Sequence, residues 1–499
     1  MEKLRISENK RYFVKADGTP FIWIADTVWT MPQRIKWDDA EYLMKKRKSQ
    51  GFSVLQIVAL DPEQDVEMRN PVGIKALQED DLTKPQEGYF TYLDWILDKA
   101  EELGFYVLLL PVWGQLVVGD DWMGGTYPKT VTEENAFWYG QWIGNRYKNR
   151  NNIIWCLGGD RQPIHKGVDY RNVWRRMAEG LASGVLNKEL KYNGNEEEWK
   201  ELLLTYHACH EMETGECSSM SYWTDEEKWI QFIMLQSGHG SIPKNYELVE
   251  KEYNRETKYG KERTMPVWDG EPAYEEMPTS FPDFTERHGS WMVRKRAYWA
   301  LLAGAFGHTY GHCNVWPSVS EKQKNPMMNG TWCEALDSEG SEQIKILRDF
   351  LEAVPLAECT PAQEWICQKD DEEMDEHIQA TIHKDKEFLC AYLPSGGSCT
   401  IQTEELNTEK LYGWWFNPRD GKCYDESMKQ TEEAFVYEVT CKSGEEEEAL
   451  GEMNFTAPQQ GKEQDWILLL YTKETDLPIL AGVYGETQEQ EAVKKVFEW

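Results

Sequence analysis

Two acidic residues in this sequence have the types and surroundings needed to cleave a glycosidic bond. Asp160 and Glu271 each directly follow a glycine and come just after a short apolar segment. In a glycosidase, one carboxyl group protonates the leaving oxygen while the other attacks the anomeric carbon. The pair therefore predicts a glycoside hydrolase. We expect the two carboxyl groups to lie ~5–6 Å apart, which is the separation found in retaining enzymes.

The same carboxylates also allow other interpretations. Asp160 could cap a helix or pair with Arg161, and Glu271 could form a salt bridge at the rim of the fold. Asp269 is a rival to Glu271, because it precedes Glu271 in the same segment. The main alternative function is a catalytically silent carbohydrate-binding barrel. The intact pair of carboxylates favours an enzyme over that alternative.

The histidines raise a further alternative, a metal-dependent hydrolase. His207 and His210 are close in sequence, and His308 and His312 lie in one predicted strand. Residues four apart in a strand are ~13 Å distant and cannot share a metal ion. The sequence contains no HExxH motif, and its eleven cysteines include no CxxC pair. We therefore predict no metal and no cofactor, and we expect the imidazoles to bind sugar hydroxyls.

The elements that must position these residues follow an alternating pattern from residue 20 to about 312. Short apolar segments alternate with helical patterns, which predicts a (β/α)₈ TIM barrel of the α/β class over residues 1–355. The predicted strands are Phe21–Ala25, Ser53–Val58, Tyr106–Pro111, Ile153–Leu157, Leu203–His207, Phe232–Gln236, Met265–Trp268 and Phe306–Gly311. The predicted helices are Asp38–Gln50, Tyr92–Leu103, Asn135–Tyr147, Val168–Leu181, Asn245–Lys258, Val293–Ala305 and Ser341–Leu351. The sixth strand closely follows Asp225–Trp229, so either the helix before it is short or the boundary assigned to that strand is wrong.

In a barrel of this kind, the functional residues lie where the strands end, on the carboxyl-terminal face. A polar or aromatic side chain follows every predicted strand, and together these side chains would surround one mouth. The resulting candidates for substrate binding are Asp26, Trp29, Gln56, Trp113, Arg161, His207, Gln236, His239, Trp268, Tyr310, His312 and Trp316.

After Pro355 the pattern changes to short strand-like segments separated by turns. It predicts a smaller all-β sandwich of about seven strands over residues 356–499. The predicted strands are Gln363–Gln368, Ile378–His383, Phe388–Leu393, Cys399–Thr403, Leu411–Phe416, Ala434–Thr440 and Trp466–Tyr471. We also expect a solvated loop at Glu445–Glu448 and a surface helix at Thr487–Phe497.

The charge of the chain restricts its partners. The formal net charge is −33, from 87 acidic and 54 basic residues, so nucleic acids and anionic membranes would be repelled. No segment approaches the ~18 apolar residues of a membrane span. The N-terminus lacks the apolar region of a signal peptide, and the cysteines suggest no disulfide framework. We expect an oligosaccharide substrate as the partner and a cytoplasmic location, or secretion if a leader has been removed.

Several motifs resemble glycoside hydrolase family 140, the apiosidase-like barrel family with a small C-terminal β domain. The resemblance spans nearly the whole chain. The matching stretches are Asp17-Gly18-Thr19-Pro20-Phe21, Asp26-Thr27-Val28-Trp29, Gln50-Gly51-Phe52, Trp155-Cys156-Leu157-Gly158-Gly159-Asp160, Gln236-Ser237-Gly238-His239, Gly270-Glu271-Pro272, Tyr310-Gly311-His312 and Trp414-Trp415-Phe416-Asn417-Pro418-Arg419-Asp420-Gly421.

This resemblance implies an exo-acting, retaining enzyme in which Asp160 is the acid/base and Glu271 is the nucleophile. It implies release of apiose from the branched pectin rhamnogalacturonan II. The chain has Gly159-Asp160 where the broader clan of retaining barrels usually has an Asn-Glu pair after strand four. The family's β domain often carries a collagen-binding label, but we expect the domain here to support the barrel by packing on it.

Overall fold

The computed structural model describes residues 1–120, 124–240, 244–255, 263–280, 283–367, 376–403, 406, 408–439 and 451–474. A parallel sheet of eight strands forms the first domain, as the sequence predicts. Its strands are β3 (Trp23–Thr27), β4 (Val54–Val58), β5 (Tyr106–Leu110), β6 (Ile153–Gly158), β9 (Leu204–His207), β10 (Ile233–Leu235), β11 (Val267–Asp269) and β12 (Gly307–Tyr310). Their order in the sheet is β10-β11-β12-β3-β4-β5-β6-β9.

The barrel is almost closed between β9 and β10. At the base, the Gln231 backbone N–H donates to the Leu204 carbonyl at 2.9 Å. Nearer the mouth, Ser219 is inserted between the two strands. Its hydroxyl donates to the Tyr206 carbonyl at 2.6 Å and accepts the Met234 N–H at 2.8 Å. The Ser219 hydroxyl thus bonds the backbone groups that would bond to each other if β9 and β10 paired directly. The hydrogen-bonded ring of strands therefore remains continuous.

Helices surround the barrel close to the predicted positions. They are α1 (Met31–Arg34), α2 (Trp37–Ser49), α3 (Glu87–Glu102), α4 (Gln115–Val118), α5 (Glu133–Tyr147), α6 (Arg171–Leu186), α7 (Glu196–Trp199), α8 (Asn245–Tyr253), α9 (Ser290–Leu302), α10 (Trp332–Ala335) and α11 (Glu339–Ala353). The prediction of a short helix before the sixth strand was wrong, because residues 208–232 are described and contain none. Two short hairpins also occur, β1 (Arg5–Ile6) with β2 (Phe13–Val14) and β7 (Ile164–His165) with β8 (Val168–Asp169).

The second domain is an antiparallel β structure. A seven-stranded sheet contains β13 (Cys359–Pro361), β14 (Gln379–His383), β15 (Phe388–Leu393), β17 (Lys410–Asn417), β18 (Lys422–Tyr424), β19 (Phe435–Glu438) and β21 (Trp466–Tyr471). A two-stranded sheet of β16 (Gly396–Gln402) and β20 (Glu452–Gln460) packs on one of its faces. The sequence analysis missed β13, β18 and β20 and predicted a strand at Gln363–Gln368, where a 3₁₀ turn forms at Gln363–Trp365. The predicted Glu445–Glu448 loop and Thr487–Phe497 helix lie outside the described residues.

The other face of the large sheet packs against the barrel. Arg294 of α9 forms a buried bidentate pair with Asp465, with both N···O distances 3.0 Å. The Trp291 indole N–H donates to the Pro394 carbonyl at 3.0 Å. One hydrophobic core runs continuously from the barrel through this interface. The small sheet covers one face of the large sheet, and the barrel covers the other. Through the second of these contacts, the second domain supports α9, the helix that follows the seventh barrel strand.

Within the described ranges, no helix combines the length and apolar character needed to cross a membrane.

Candidate active site

Alternation along the barrel strands decides which side chains reach the interior. Thr27 of β3 pairs in register with Gln56 of β4, and the Gln56 amide donates to the Thr27 hydroxyl at 3.2 Å. His207, at the end of β9, is fully buried. Gln236, just past β10, is also buried and contacts the strand-four loop. These four polar side chains form the floor of the mouth.

Asp160 lies on a tight turn after β6. Gly158, Gly159 and Asp160 all have positive φ, and Asp160 itself has a φ of 53°. A Cβ on Gly158 would collide with the His207 backbone, and one on Gly159 would collide with the Trp113 ring. The glycines are therefore required by close approach of neighbouring protein segments. For a non-glycine residue, this strained conformation of Asp160 costs ~1 kcal/mol or more, and such strain is concentrated at functional sites.

Both carboxylate oxygens of Asp160 already accept hydrogen bonds. The Gln236 amide donates to Oδ1 at 2.8 Å, and the Arg161 guanidinium donates to Oδ2 at 2.7 Å. Arg161 is only 4% exposed, whereas the Asp160 side chain is 18% exposed. The partly open carboxylate therefore faces the mouth while its hydrogen-bond donors are buried beneath it.

Glu271 follows β11 and sits between two histidines. His207 Nε2 lies 2.8 Å from Glu271 Oε2, and His239 Nε2 lies 3.0 Å from Oε1. Burial opposes ionisation of this carboxyl group, but the two imidazoles outweigh that effect and lower the pKa of Glu271 well below its usual range. Glu271 is therefore ionised at neutral pH.

One imidazole connects the two carboxylate residues. His207 Nδ1 accepts the Asp160 backbone N–H at 3.2 Å, while Nε2 contacts Glu271. A ring nitrogen that accepts an N–H carries no proton, so the proton of His207 is on Nε2, which lies 2.8 Å from Glu271 Oε2 without a well-directed hydrogen bond. The ring thus holds the backbone of one residue and the carboxylate of the other at the same time.

His239 has acceptors at both ring nitrogens. Nδ1 lies 3.0 Å from the Pro272 carbonyl, and Nε2 lies 3.0 Å from Glu271. A carbonyl and an ionised carboxylate can only accept, so the ring contacts each of them as a donor. His239 is 28% exposed, and the Tyr274 ring lies against it at 4.1 Å.

Aromatic rings form the walls around His207. Trp29 stacks on the imidazole at 5.5 Å, and Trp113 meets it at 5.5 Å with a tilted geometry. Both indoles are almost fully buried, and the Trp113 indole N–H has no hydrogen-bond partner. An unpaired buried donor is costly unless a ligand satisfies it. These two rings enclose the His207 imidazole and leave one unused polar group beside it.

A residue that the sequence analysis missed, Glu63, completes the cluster. It lies past the end of β4, where its carboxylate accepts the buried amide of Gln115. Burial, followed by the negative charges of Asp61 and Asp160, raises the pKa of Glu63 to about 8. The signal available in sequence was the Asp61-Pro62-Glu63 segment, because two carboxylates directly follow the second strand.

Other predicted residues lie away from this cluster. Asp26 faces outward and forms a buried pair with Arg47 at 2.6 Å. Tyr310, also outward, donates its hydroxyl to Glu275 at 2.6 Å, with Arg47 over its ring. Asp269, the rival to Glu271, is held beneath α8 by hydrogen bonds to Ser237 and Asn245. Alternation in each strand turns these side chains toward the surrounding helices, where they stabilise the helix–barrel contact instead of lining the mouth.

Trp268 points inward but lies below the mouth. Its ring packs on Trp23 at 5.5 Å, and its indole N–H donates to Thr309 at 3.1 Å. His312 is buried, and its Nδ1 accepts the Asn314 N–H at 3.0 Å. Trp316 is half-buried, and its indole N–H has no partner. The Trp316 indole N–H is therefore a buried donor that a ligand could satisfy.

In the part of the chain that the structure describes, no group of three or more His, Cys, Asp or Glu side chains is arranged to hold a metal ion.

Comparisons with known proteins agree with this geometry. Residues 7–358 match a family model described as "Apiosidase-like, catalytic domain", and residues 360–471 match one described as "Putative collagen-binding domain of a collagenase". Among curated proteins, none matches the chain. A solved structure titled "Glycoside hydrolase" is 25% identical with a TM-score of 0.76, covering 95% of this chain and 98% of its own. A family 5 glycoside hydrolase from Bacteroides vulgatus ATCC 8482 has the same identity and TM-score and covers 95% and 94%.

The barrel, its polar mouth and these matches agree, so the chain is a glycoside hydrolase that belongs to the apiosidase-like family.

Proposed function

We propose that this enzyme is a retaining, exo-acting glycosidase of glycoside hydrolase family 140. In this proposal, Glu271 is the nucleophile and Asp160 is the acid/base. The substrate would be an apiose-like sugar at the end of a pectic side chain, such as those of rhamnogalacturonan II. The observation that carries the proposal is the ionised Glu271, which is buried between His207 and His239 at the same mouth as Asp160.

The chemistry follows from the roles proposed for the two carboxyl groups. In the first step, the Glu271 carboxylate forms a bond to the anomeric carbon as the bond to the leaving oxygen breaks. Asp160 gives its proton to that oxygen. In the second step, Asp160 takes a proton from water, the water oxygen bonds to the anomeric carbon, and Glu271 leaves as a carboxylate. The two histidines stabilise Glu271 whenever it carries a negative charge.

The substrate class is supported by the family match and by the character of the mouth. The site combines the aromatic rings of Trp29 and Trp113 with the polar side chains of Gln56, His239 and Gln236, and a combination of this kind suits a small sugar. Hydrolysis of an apiose-terminated pectic oligosaccharide, compared with a panel of other side-chain sugars, tests this class. Release of a different terminal sugar alone would change the substrate but keep the mechanism.

The roles of the two carboxylates are tested by a pair of variants. Glu271→Ala should lower kcat by at least ~10⁴-fold on every substrate, equivalent to ~5 kcal/mol of barrier. Asp160→Ala should still cleave aryl glycosides with good leaving groups, and added azide should restore turnover. Near-normal rates in Glu271→Ala would contradict the proposal. Azide rescue of Glu271→Ala, with retained stereochemistry, would reverse the two roles.

A further inference from the structure

The Gln236 side chain is held at both ends of its amide. It is only 5% exposed. The His210 backbone N–H donates to Oε1, and Nε2 donates to Asp160 Oδ1 at 2.8 Å. A backbone N–H can only donate, so the amide oxygen must face His210 and the amide nitrogen must face the Asp160 carboxyl group. The surroundings therefore fix the orientation of this amide.

These contacts join three loops at the mouth of the barrel. Asp160 follows β6, His210 follows β9 and Gln236 follows β10. The Gln162 amide, on the loop after β6, donates to the Cys209 carbonyl, on the loop after β9, at 2.8 Å. Each of the three loops is thus bonded to the other two. The donor to Asp160 Oδ1 belongs to a closed set of hydrogen bonds between loops.

The residues after Gln236 connect the same loop to Glu271. Ser237 is bonded to Asp269 through its N–H at 3.2 Å and through its hydroxyl at 2.6 Å. The Gly238 N–H donates to the Glu271 carbonyl at 3.1 Å. One short segment therefore contacts the carboxyl group of the proposed acid/base and the backbone of the proposed nucleophile.

The two donors to Asp160 come from different parts of the chain. Oδ2 accepts from Arg161, the next residue in sequence, whereas Oδ1 accepts from Gln236 on another strand. The aspartate side chain has two rotatable bonds, and a contact at each oxygen fixes both of them. Each carboxylate oxygen has a second lone pair, so these contacts leave a site for the reacting proton.

We propose that Gln236 is a positioning residue, which holds the Asp160 carboxyl group in the direction in which it reacts. This inference rests on the proposed role of Asp160 as the acid/base. In the first step the carboxyl group must reach the leaving oxygen, and in the second step it must reach the attacking water. A carboxyl group that turns away from that position slows both steps.

The test is Gln236→Met, which keeps the length of the side chain and removes the amide. For a substrate with a poor leaving group, kcat and kcat/KM should both fall by roughly 10- to 100-fold, because the first step needs the acid. KM should stay close to the wild-type value, since the lost contact acts on the transition state. For an activated aryl glycoside, kcat/KM should not change, because its first step needs no acid.

Added azide distinguishes a displaced base from a lost contact with the sugar. With the activated substrate, the second step is limiting in Gln236→Met, because water needs the base. Azide is already charged, so its nitrogen bonds to the anomeric carbon and Glu271 leaves as a carboxylate without a base. Azide should therefore raise kcat and give a glycosyl azide of retained configuration. The matched control is Gln33→Met, which removes another buried amide, one that donates to the Asp61 carbonyl at 2.8 Å, and it should behave as the wild type.

A second variant, Gln236→Glu, tests the inference if Gln236→Met does not fold. It keeps the shape of the side chain and the acceptor for the His210 N–H, but at pH ~8 it is ionised and has no hydrogen to donate to Oδ1. The same azide response is expected. A higher KM on both substrates, or an equal loss of rate on both, without any response to azide would overturn the inference. If Asp160→Ala itself does not respond to azide, the proposed function fails instead.

Discussion

His207 should serve the two carboxylate residues through different ring nitrogens, and two substitutions can separate these roles. His207→Asn places an oxygen near the position of Nδ1, so it can still accept the Asp160 N–H but cannot reach Glu271. His207→Gln places a nitrogen near the position of Nε2, so it can still contact Glu271 but loses the Asp160 N–H. The ring lies between Trp29 and Trp113, so both variants replace it with a smaller polar side chain in the same cavity.

The expected magnitudes follow from the type of contact that each variant removes. A hydrogen bond to a charged group contributes ~1.5–3 kcal/mol, so His207→Asn should lower kcat/KM by roughly 10- to 150-fold on every substrate. With only His239 left as a donor, the pKa of Glu271 should rise. The acid limb of kcat/KM should therefore move to higher pH by ~1 unit or more.

His207→Gln should have a different signature. Glu271 keeps its contact, so the acid limb should stay in place and activated aryl glycosides should react at close to the wild-type rate. The Asp160 N–H loses its acceptor, at a cost of ~1 kcal/mol, and the left-handed turn at that residue is held less firmly. The loss should therefore appear on substrates that need acid assistance, together with a lower Tm.

The measurement is a pair of pH–rate profiles for each variant, one with an activated and one with an unactivated leaving group. Circular dichroism and Tm serve as the control for folding. If the two variants shift the acid limb equally, or if both lose the same factor on both substrates, His207 does not divide its contacts in the way that the geometry indicates.

Two further predictions concern stability. Asp465→Ala leaves the Arg294 guanidinium buried without its charge partner, so it should lower the free energy of unfolding by ~3–5 kcal/mol in denaturant titrations. The control is Asp98→Ala, which removes the 67% exposed partner of Arg150 and should cost less than ~1 kcal/mol. Similar losses in the two variants would contradict the supporting role of the interface. Burial lowers the pKa of His308 to about 3, so its ring is neutral in the folded state while the unfolded chain binds a proton below pH ~6.5. The free energy of unfolding should therefore fall as the pH drops from ~6.5 toward 3. His308→Leu should make the unfolding free energies at pH 7 and pH 5 differ by ~2 kcal/mol less than they do in the wild type. If that difference is unchanged, this histidine binds its proton in the folded protein.

The order of elements and the position of the two carboxylates were predictable from the chain alone. Eight apolar segments alternating with helical patterns can bury their surfaces only as a parallel sheet covered by helices. Parallel strands all end on the same face, so the residues after strands four and seven must meet at one mouth. Asp160 and Glu271 were found by that argument, and their connection through His207 agrees with it.

The direction of each side chain was decided by the tertiary structure. Asp26 and Thr27 are neighbours on β3, yet one pairs with Arg47 behind the sheet and the other faces the interior. A strand that is buried on both faces shows no alternation of polar and apolar residues, so its sequence does not reveal which side is inward. Glu63 was missed for a related reason. Its contact with Gln115 depends on how the loops after β4 and β5 pack together, and this contact joins segments that are far apart in sequence.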